Sequence, residues 1–271
     1  DRFRVIREGG PPSARRHIVT LGVSRHKDPQ QDLDFAQADA STISSLLKRA
    51  SPIPAETLHL TNEQVTREAL PLIGSFLAKA GEDDEIVLFC AGHGSLDGNL
   101  DFVFRTHDLD DSDVAGTGIK LSELLDLMGA SKARKRLLMF DSCHSGFVGE
   151  REEWRLAGRD PENPEAEIRF LEELFRLPGL VRGVTILAAA RGSELAWERE
   201  DLGSGFFTAV VKEGLAQKRA DLDGDGVIRV SELRDFILER VPEVSRGKDL
   251  PNGQTPSVVA FEADQDFILA R

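Results

Sequence analysis

Two residues stand where they could do nucleophilic chemistry. Cys143 closes the run RLLMFDSC and is followed by His-Ser-Gly; His93 sits in AGHG at the end of another apolar run, EIVLFCAG, about fifty residues earlier. A thiol attacks a carbonyl only as thiolate, so it needs a base beside it and access to substrate. Two parallel strands that each end in one half of such a pair would set thiol and imidazole across one crevice. Gly92 and Gly94 on either side of the histidine would let a substrate backbone come close. Asp141 lies two residues before Cys143 on the same strand, so the alternation of a strand puts both side chains on one face. A strand-end cysteine in an arbitrary protein is most often a small buried hydrophobe, and Cys90, inside VLFCA, keeps that reading. His144 neighbours Cys143 on an extended chain and therefore points to the opposite face, while His17, His26, His59 and His107 have no comparable setting and read as surface or structural.

A second constellation suits metal binding. DLDGDGVIRVSE (221–232) carries Asp221, Asp223 and Asp225 at positions one, three and five of a twelve-residue loop, Gly226 at the sharp turn, the Val227 carbonyl at seven and Glu232 at twelve. This is the oxygen-ligand pattern of an EF-hand calcium loop, with helical sequence on both sides; Arg229, at position nine, cannot ligate, and water commonly serves there.

Positioning these residues requires a particular set of elements. HIVTLGV (17–23), ETLHLTN (56–62), EIVLFCAG (85–92), RLLMFDSC (136–143) and GVTILAAA (183–190) read as strands, four of them apolar on both faces. Helical spacing of apolar residues runs from Leu33 to Leu47, over 66–80, around 122–128 and 166–176, and on both sides of the acidic loop within 205–240. PSVVAF and DFILA near the end read as short strands or edge segments. Strands alternating with helices predict an α/β fold, a mostly parallel central sheet with helices on both faces. In such sheets the reactive groups sit just beyond the carboxyl ends of the strands, which is where AGHG and DSCHSG fall. Residues 1–16 read as a leader or linker and 17–271 as one catalytic domain, with the charged, Pro/Gly/Asn-containing stretch 147–182 looping out.

Bulk properties narrow the class. The 271 residues are 40% hydrophobic and 30% charged, the balance of a folded domain. The net charge of −13 argues against general nucleic-acid binding and suits attraction of cationic peptides or metal ions. No apolar run approaches the roughly 20 residues of a membrane span, and DRFRVIREGG lacks the apolar centre of a secretion signal. Two cysteines make no disulfide framework, so a cytoplasmic location is expected.

Taken together, AGHGS followed by DSCHSG, with FAQADA after the first strand and QTPSVVAF near the end, resembles the caspase and metacaspase superfamily, including its bacterial, orthocaspase-like members. The resemblance implies a caspase-hemoglobinase fold and a cysteine endopeptidase in which Cys143 attacks, His93 carries the proton, and the backbone N–H groups of Gly94 and Cys143 hold the oxyanion. It implies no cofactor for the chemistry. Metacaspases place an acidic residue two before the cysteine and a second in the motif that FAQADA resembles, so Asp141 and Asp39 are expected to line the pocket for the residue preceding the cut. Paired carboxylates accept a guanidinium well, which predicts cleavage of protein or peptide substrates after Arg or Lys. The arginine motif with which true caspases accept aspartate has no match: Arg25 and Lys27 lie outside it, and Ala91 stands where metacaspases often carry serine. Relatives mature by cleavage in the segment corresponding to 147–182, where Arg151, Arg155, Arg159, Arg169, Arg176 and Arg182 offer targets for self-processing. The metacaspase calcium site uses other acids; Asp108 matches part of it, while Ile119-Lys120-Leu121-Ser122 lacks the acidic pair. Bacterial members often stand beside sensor or repeat domains, so a regulatory or defence cascade with partner proteins is expected. The competing account is a catalytically silent caspase-like scaffold that associates with partners when calcium binds. A thiol redox protein is a third account, disfavoured because no CxxC is present.

Overall fold

The computed structural model describes residues 14–97, 99, 101–143, 183–189, 198–199, 203–247, 253–259 and 265–271. The expected helix over 166–176 and the processing segment 147–182 lie outside the described residues. The first element of the described residues is strand β1 (Arg16–Gly22), buried along its whole length. Helix α1 (Ala36–Ala50) follows, then β2 (Ala55–Thr61), α2 (Leu70–Leu77) and the long β3 (Glu85–Leu96). A short excursion, β4 (Phe102–Phe104), α3 (Val114–Thr117) and β5 (Ile119–Lys120), leads into α4 (Leu121–Ala130) and β6 (Lys135–Cys143). After β7 (Thr185–Ala188), β8 (Glu198–Arg199) and β9 (Ser204–Gly205) come α5 (Phe206–Ala216), β10 (Ile228–Arg229), α6 (Val230–Ser245), β11 (Ser257–Val259) and β12 (Ile268–Ala270).

The main sheet has the order β11-β7-β6-β3-β1-β2. The five strands β7, β6, β3, β1 and β2 run parallel, and β11 closes one edge antiparallel to β7. Alternation along β3 explains the two-sided core: Val87 and Phe89 face one apolar cluster with α1, α5 and α6, while Ile86, Leu88 and Cys90 face the other with α2 and α4. Cys90 is fully buried, and burial pushes its thiol pKa well up, as its place inside a continuous apolar strand implies. No helix among the described residues is long and apolar enough to cross a membrane.

Four details refine the sequence reading. The first strand takes in Arg16, assigned above to the leader: its guanidinium is buried, pairs with Glu85 at 2.7 Å and donates to the carbonyls of Ile268 and Leu269 at 2.5 Å. A buried guanidinium persists only when its donors are met in this way. α1 starts at Ala36 rather than Leu33, because Asp28 caps a short 3-10 turn over Pro29–Gln31 and the chain stays irregular until Phe35. α2 is shorter than expected, preceded by a 3-10 turn at Arg67–Ala69 and carrying Pro71 in its first turn, where a missing N–H costs nothing. Finally, DFILA does not join the main sheet: β12 pairs antiparallel with β10, the strand of the acidic loop.

Candidate functional site

His93 lies within β3, not beyond its end. β3 and β6 run in parallel register from Glu85↔Lys135 to His93↔Cys143, so the two candidate dyad residues are direct partners across neighbouring strands, whose spacing is about 4.8 Å. Beyond His93, β3 pairs antiparallel with β4 through Gly94↔Phe104, Ser95↔Val103 and Leu96↔Phe102. Pairing with β6 through His93 and with β4 from Gly94 keeps AGHG in strand conformation. Arg105 N–H donates to the His93 carbonyl at 2.9 Å, which makes 93–105 the hydrogen-bonded pair and 94–104 the non-bonded one. The Gly94 N–H therefore faces away from β4, toward the side on which β6 ends.

The imidazole of His93 is partly buried and its Nε2 lies 2.9 Å from the Gln31 carbonyl. A carbonyl only accepts, so Nε2 carries the proton and the neutral ring keeps its lone pair on Nδ1. Burial, then the neighbouring His26, then Arg105 lower the His93 pKa to about 4, against the raising effect of the Gln31 hydrogen bond. The ring is thus an unprotonated base at neutral pH. Gln31 is held by the 3-10 turn that Asp28 caps, and Asn62 fastens the start of this loop: its side-chain oxygen accepts from the N–H groups of Ser24 and Arg25 at 2.9 and 3.1 Å.

His26, set aside above as surface or structural, is buried, and its ring centroid is 5.4 Å from that of His93. Its Nδ1 lies 3.2 Å from the Thr106 carbonyl, its Nε2 is buried with no hydrogen-bond partner among the described residues, and burial lowers its pKa. It therefore belongs to the surroundings of His93. His17, beside Asp84, and His59, between Thr20 and Ser41, are structural.

Asp39 and Asp141, distant in sequence, meet at one stretch of chain. Asp39 lies in the first turn of α1, which packs against the end of β1 where Gly22 has no side chain: a Cβ there would stand 2.6 Å from Ala40 Cβ and 2.8 Å from the Ala36 carbonyl. Asp39 accepts from Ser204 Oγ at 2.6 Å and from Gly205 N–H at 2.9 Å. Asp141 accepts from Thr208 N–H at 3.1 Å and Thr208 Oγ at 2.5 Å. All four of these side chains are buried. Sequence reasoning missed Gln31, whose contribution is a backbone carbonyl, and Ser204, Gly205 and Thr208, whose residue types are those of any helix start.

The acidic loop gathers three of its carboxylates. Candidate ligand oxygens of Asp221, Asp223 and Asp225 lie within 4.8 Å of one another. Asp221 Oδ2 accepts from Gly226 N–H, Asp223 Oδ1 from Asp225 N–H and Asp225 Oδ1 from Val227 N–H, at 2.9 to 3.0 Å. Glu232 is buried in the first turn of α6 and its carboxylate accepts from the N–H groups of Leu222 and Arg229, both at 2.9 Å. Asp221 Oδ1 is buried without a hydrogen-bond partner among the described residues. The Arg229 guanidinium approaches Asp225 at 4.0 Å, consistent with a non-ligating position nine. The Lys120 ammonium lies 2.6 Å from Asp97 and 3.5 Å from Asp101, and Asp108 is exposed.

No protein-family model matches the sequence, and no curated protein sequence matches it. Solved structures do. Protein GSU0716 from Geobacter sulfurreducens aligns over 90% of this chain and 92% of its own, with a TM-score of 0.61 and 18% identity. Caspase-1 from Spodoptera frugiperda aligns over 96% of this chain and 90% of its own, with a TM-score of 0.59 and 12% identity. Parallel order, helical cover on both faces and these alignments agree: the chain has a caspase-like fold.

Proposed function

We propose that this protein is a cysteine endopeptidase that cuts protein or peptide substrates after arginine or lysine, with Cys143 as nucleophile and His93 as base. The observation that carries the reading is the register pairing of His93 with Cys143, combined with the Nε2–Gln31 hydrogen bond that leaves Nδ1 free of a proton. In this scheme Nδ1 takes the thiol proton, the thiolate attacks the scissile carbonyl, and the N–H groups of Gly94 and Cys143 hold the oxygen as it becomes negative. Such preorganised donors are each typically worth a few kcal/mol in the transition state. The imidazolium then returns its proton to the departing amine, and water, deprotonated by the same ring, releases the acyl group. Asp39 and Asp141 form the floor of the pocket for the residue before the cut, where two carboxylates suit a guanidinium or ammonium.

The same reading includes self-processing within 147–182, a reducing cytoplasm as its compartment, and partner proteins in a regulatory cascade. It also includes Ca2+ held by Asp221, Asp223, Asp225, the Val227 carbonyl and Glu232. The buried, unsatisfied Asp221 Oδ1 supports that fit, and the ion would brace α5 and α6 without entering the chemistry. A fluorogenic peptide panel varied at the residue before the cut, run with the parent protein and Cys143→Ala, tests the enzyme reading. Turnover after Arg and Lys that disappears in Cys143→Ala is expected. Turnover confined to Asp peptides would overturn the pocket assignment, and equal turnover by the variant would overturn the nucleophile.

A further inference from the structure

Asp39 and Asp141 take hydrogen bonds from a remote stretch of chain. One comes from α1 and the other from β6, yet every hydrogen bond described above for their carboxylates is donated by Ser204, Gly205 or Thr208, far along the chain. Asp141 Oδ2 receives two donors from the single residue Thr208, and the two oxygens of Asp39 receive one donor each from Ser204 and Gly205. All four donors are neutral N–H and O–H groups, which fix the direction in which each carboxylate points. Gly205 is required by space and not by backbone conformation. Its φ is an ordinary −63°, but a Cβ on it would stand 2.8 Å from Asp141 Oδ2. Just behind the turn, Phe207 is fully buried in the core cluster that α5 shares with the sheet, so the donors sit on a rigid mount.

We infer that the Ser204–Thr208 turn is the specificity-determining element of the pocket, with Thr208 the positioning residue for Asp141 and Ser204 the positioning residue for Asp39. The inference rests on the proposed pocket for a basic side chain. It adds that cation recognition is set by hydroxyl and amide donors from the start of α5, and that losing one donor loosens a carboxylate without touching the dyad.

Binding of acetyl-arginine amide, measured calorimetrically on the full chain carrying Cys143→Ala, tests this without requiring turnover. Removing a hydrogen bond to a charged group predicts that Thr208→Val weakens the probe about tenfold, that Thr208→Ser restores it to within about twofold, and that Ser204→Ala weakens it several-fold. In the parent with its cysteine, Thr208→Val is expected to raise KM for an arginine peptide by a similar factor and leave kcat nearly unchanged. A merely structural threonine would give no such split and no rescue by serine. Probe affinity unchanged in Thr208→Val overturns the inference; should that variant fail to fold, unchanged affinity in Ser204→Ala does so. A parent that does not bind the probe overturns both the inference and the basic pocket. A parent that binds it but cleaves no peptide overturns the enzyme reading alone, and the variants still decide the role of the turn.

Discussion

Burial of His93 makes a stability prediction that is independent of catalysis. The ring has its ordinary pKa of 6.5 in the unfolded chain and about 4 in the folded protein, lowered first by burial and then by His26. Between those values the unfolded chain holds the extra proton, so His93 makes stability rise with pH from about 4 to 6.5, and the stability is lost as pH falls through that window. At 1.36 kcal/mol per pKa unit, the loss relative to pH 7 is about 2 kcal/mol at pH 5 and about 3 kcal/mol at pH 4. For a chain of this size about 2 kcal/mol corresponds to roughly 5 °C in melting temperature. His93→Gln removes the titration while keeping a side chain able to donate to the Gln31 carbonyl. Both proteins should carry Cys143→Ala, so that self-cleavage does not intrude. Thermal melts at pH 7 and pH 5 are then compared: the His93 protein should lose about 5 °C more than His93→Gln, since His26 and the carboxylates titrate in both. Parallel losses in the two proteins would refute the claim that burial holds this imidazole neutral.

Two further outcomes are expected. Gly22→Ala drives a methyl group into Ala40 and the Ala36 carbonyl, so it should cost about 1–3 kcal/mol and raise KM for arginine peptides by displacing the helix turn that carries Asp39; a melting temperature within a degree of the parent would contradict the packing argument. Millimolar Ca2+ should raise the melting temperature by several degrees through binding to the folded state, and Asp223→Ala should abolish the shift; a parent indifferent to Ca2+ would remove the ion from the loop.

Much of this protein was legible along the chain because the determinants are local. Apolar runs buried on both faces announced the parallel strands, and the spacing of Asp221, Asp223 and Asp225 announced three carboxylates gathered in one loop. The pairing of AGHG with DSCHSG was readable because each motif closes an apolar strand, and a parallel sheet brings such ends together. What only tertiary structure decided involves groups without a residue-type signature or contacts between remote segments. Gln31 acts through a carbonyl that any residue owns, and it reaches His93 only because a capped turn folds back over the strand. His26 looked unremarkable until the sheet laid its loop against the base. Asp39 and Asp141 were expected together from the resemblance, but their convergence on Ser204–Thr208 depends on the start of α5 packing against both, a long-range event that periodicity does not encode. Sequence settles which side chains are available; the packing of distant segments settles which of them share a cavity.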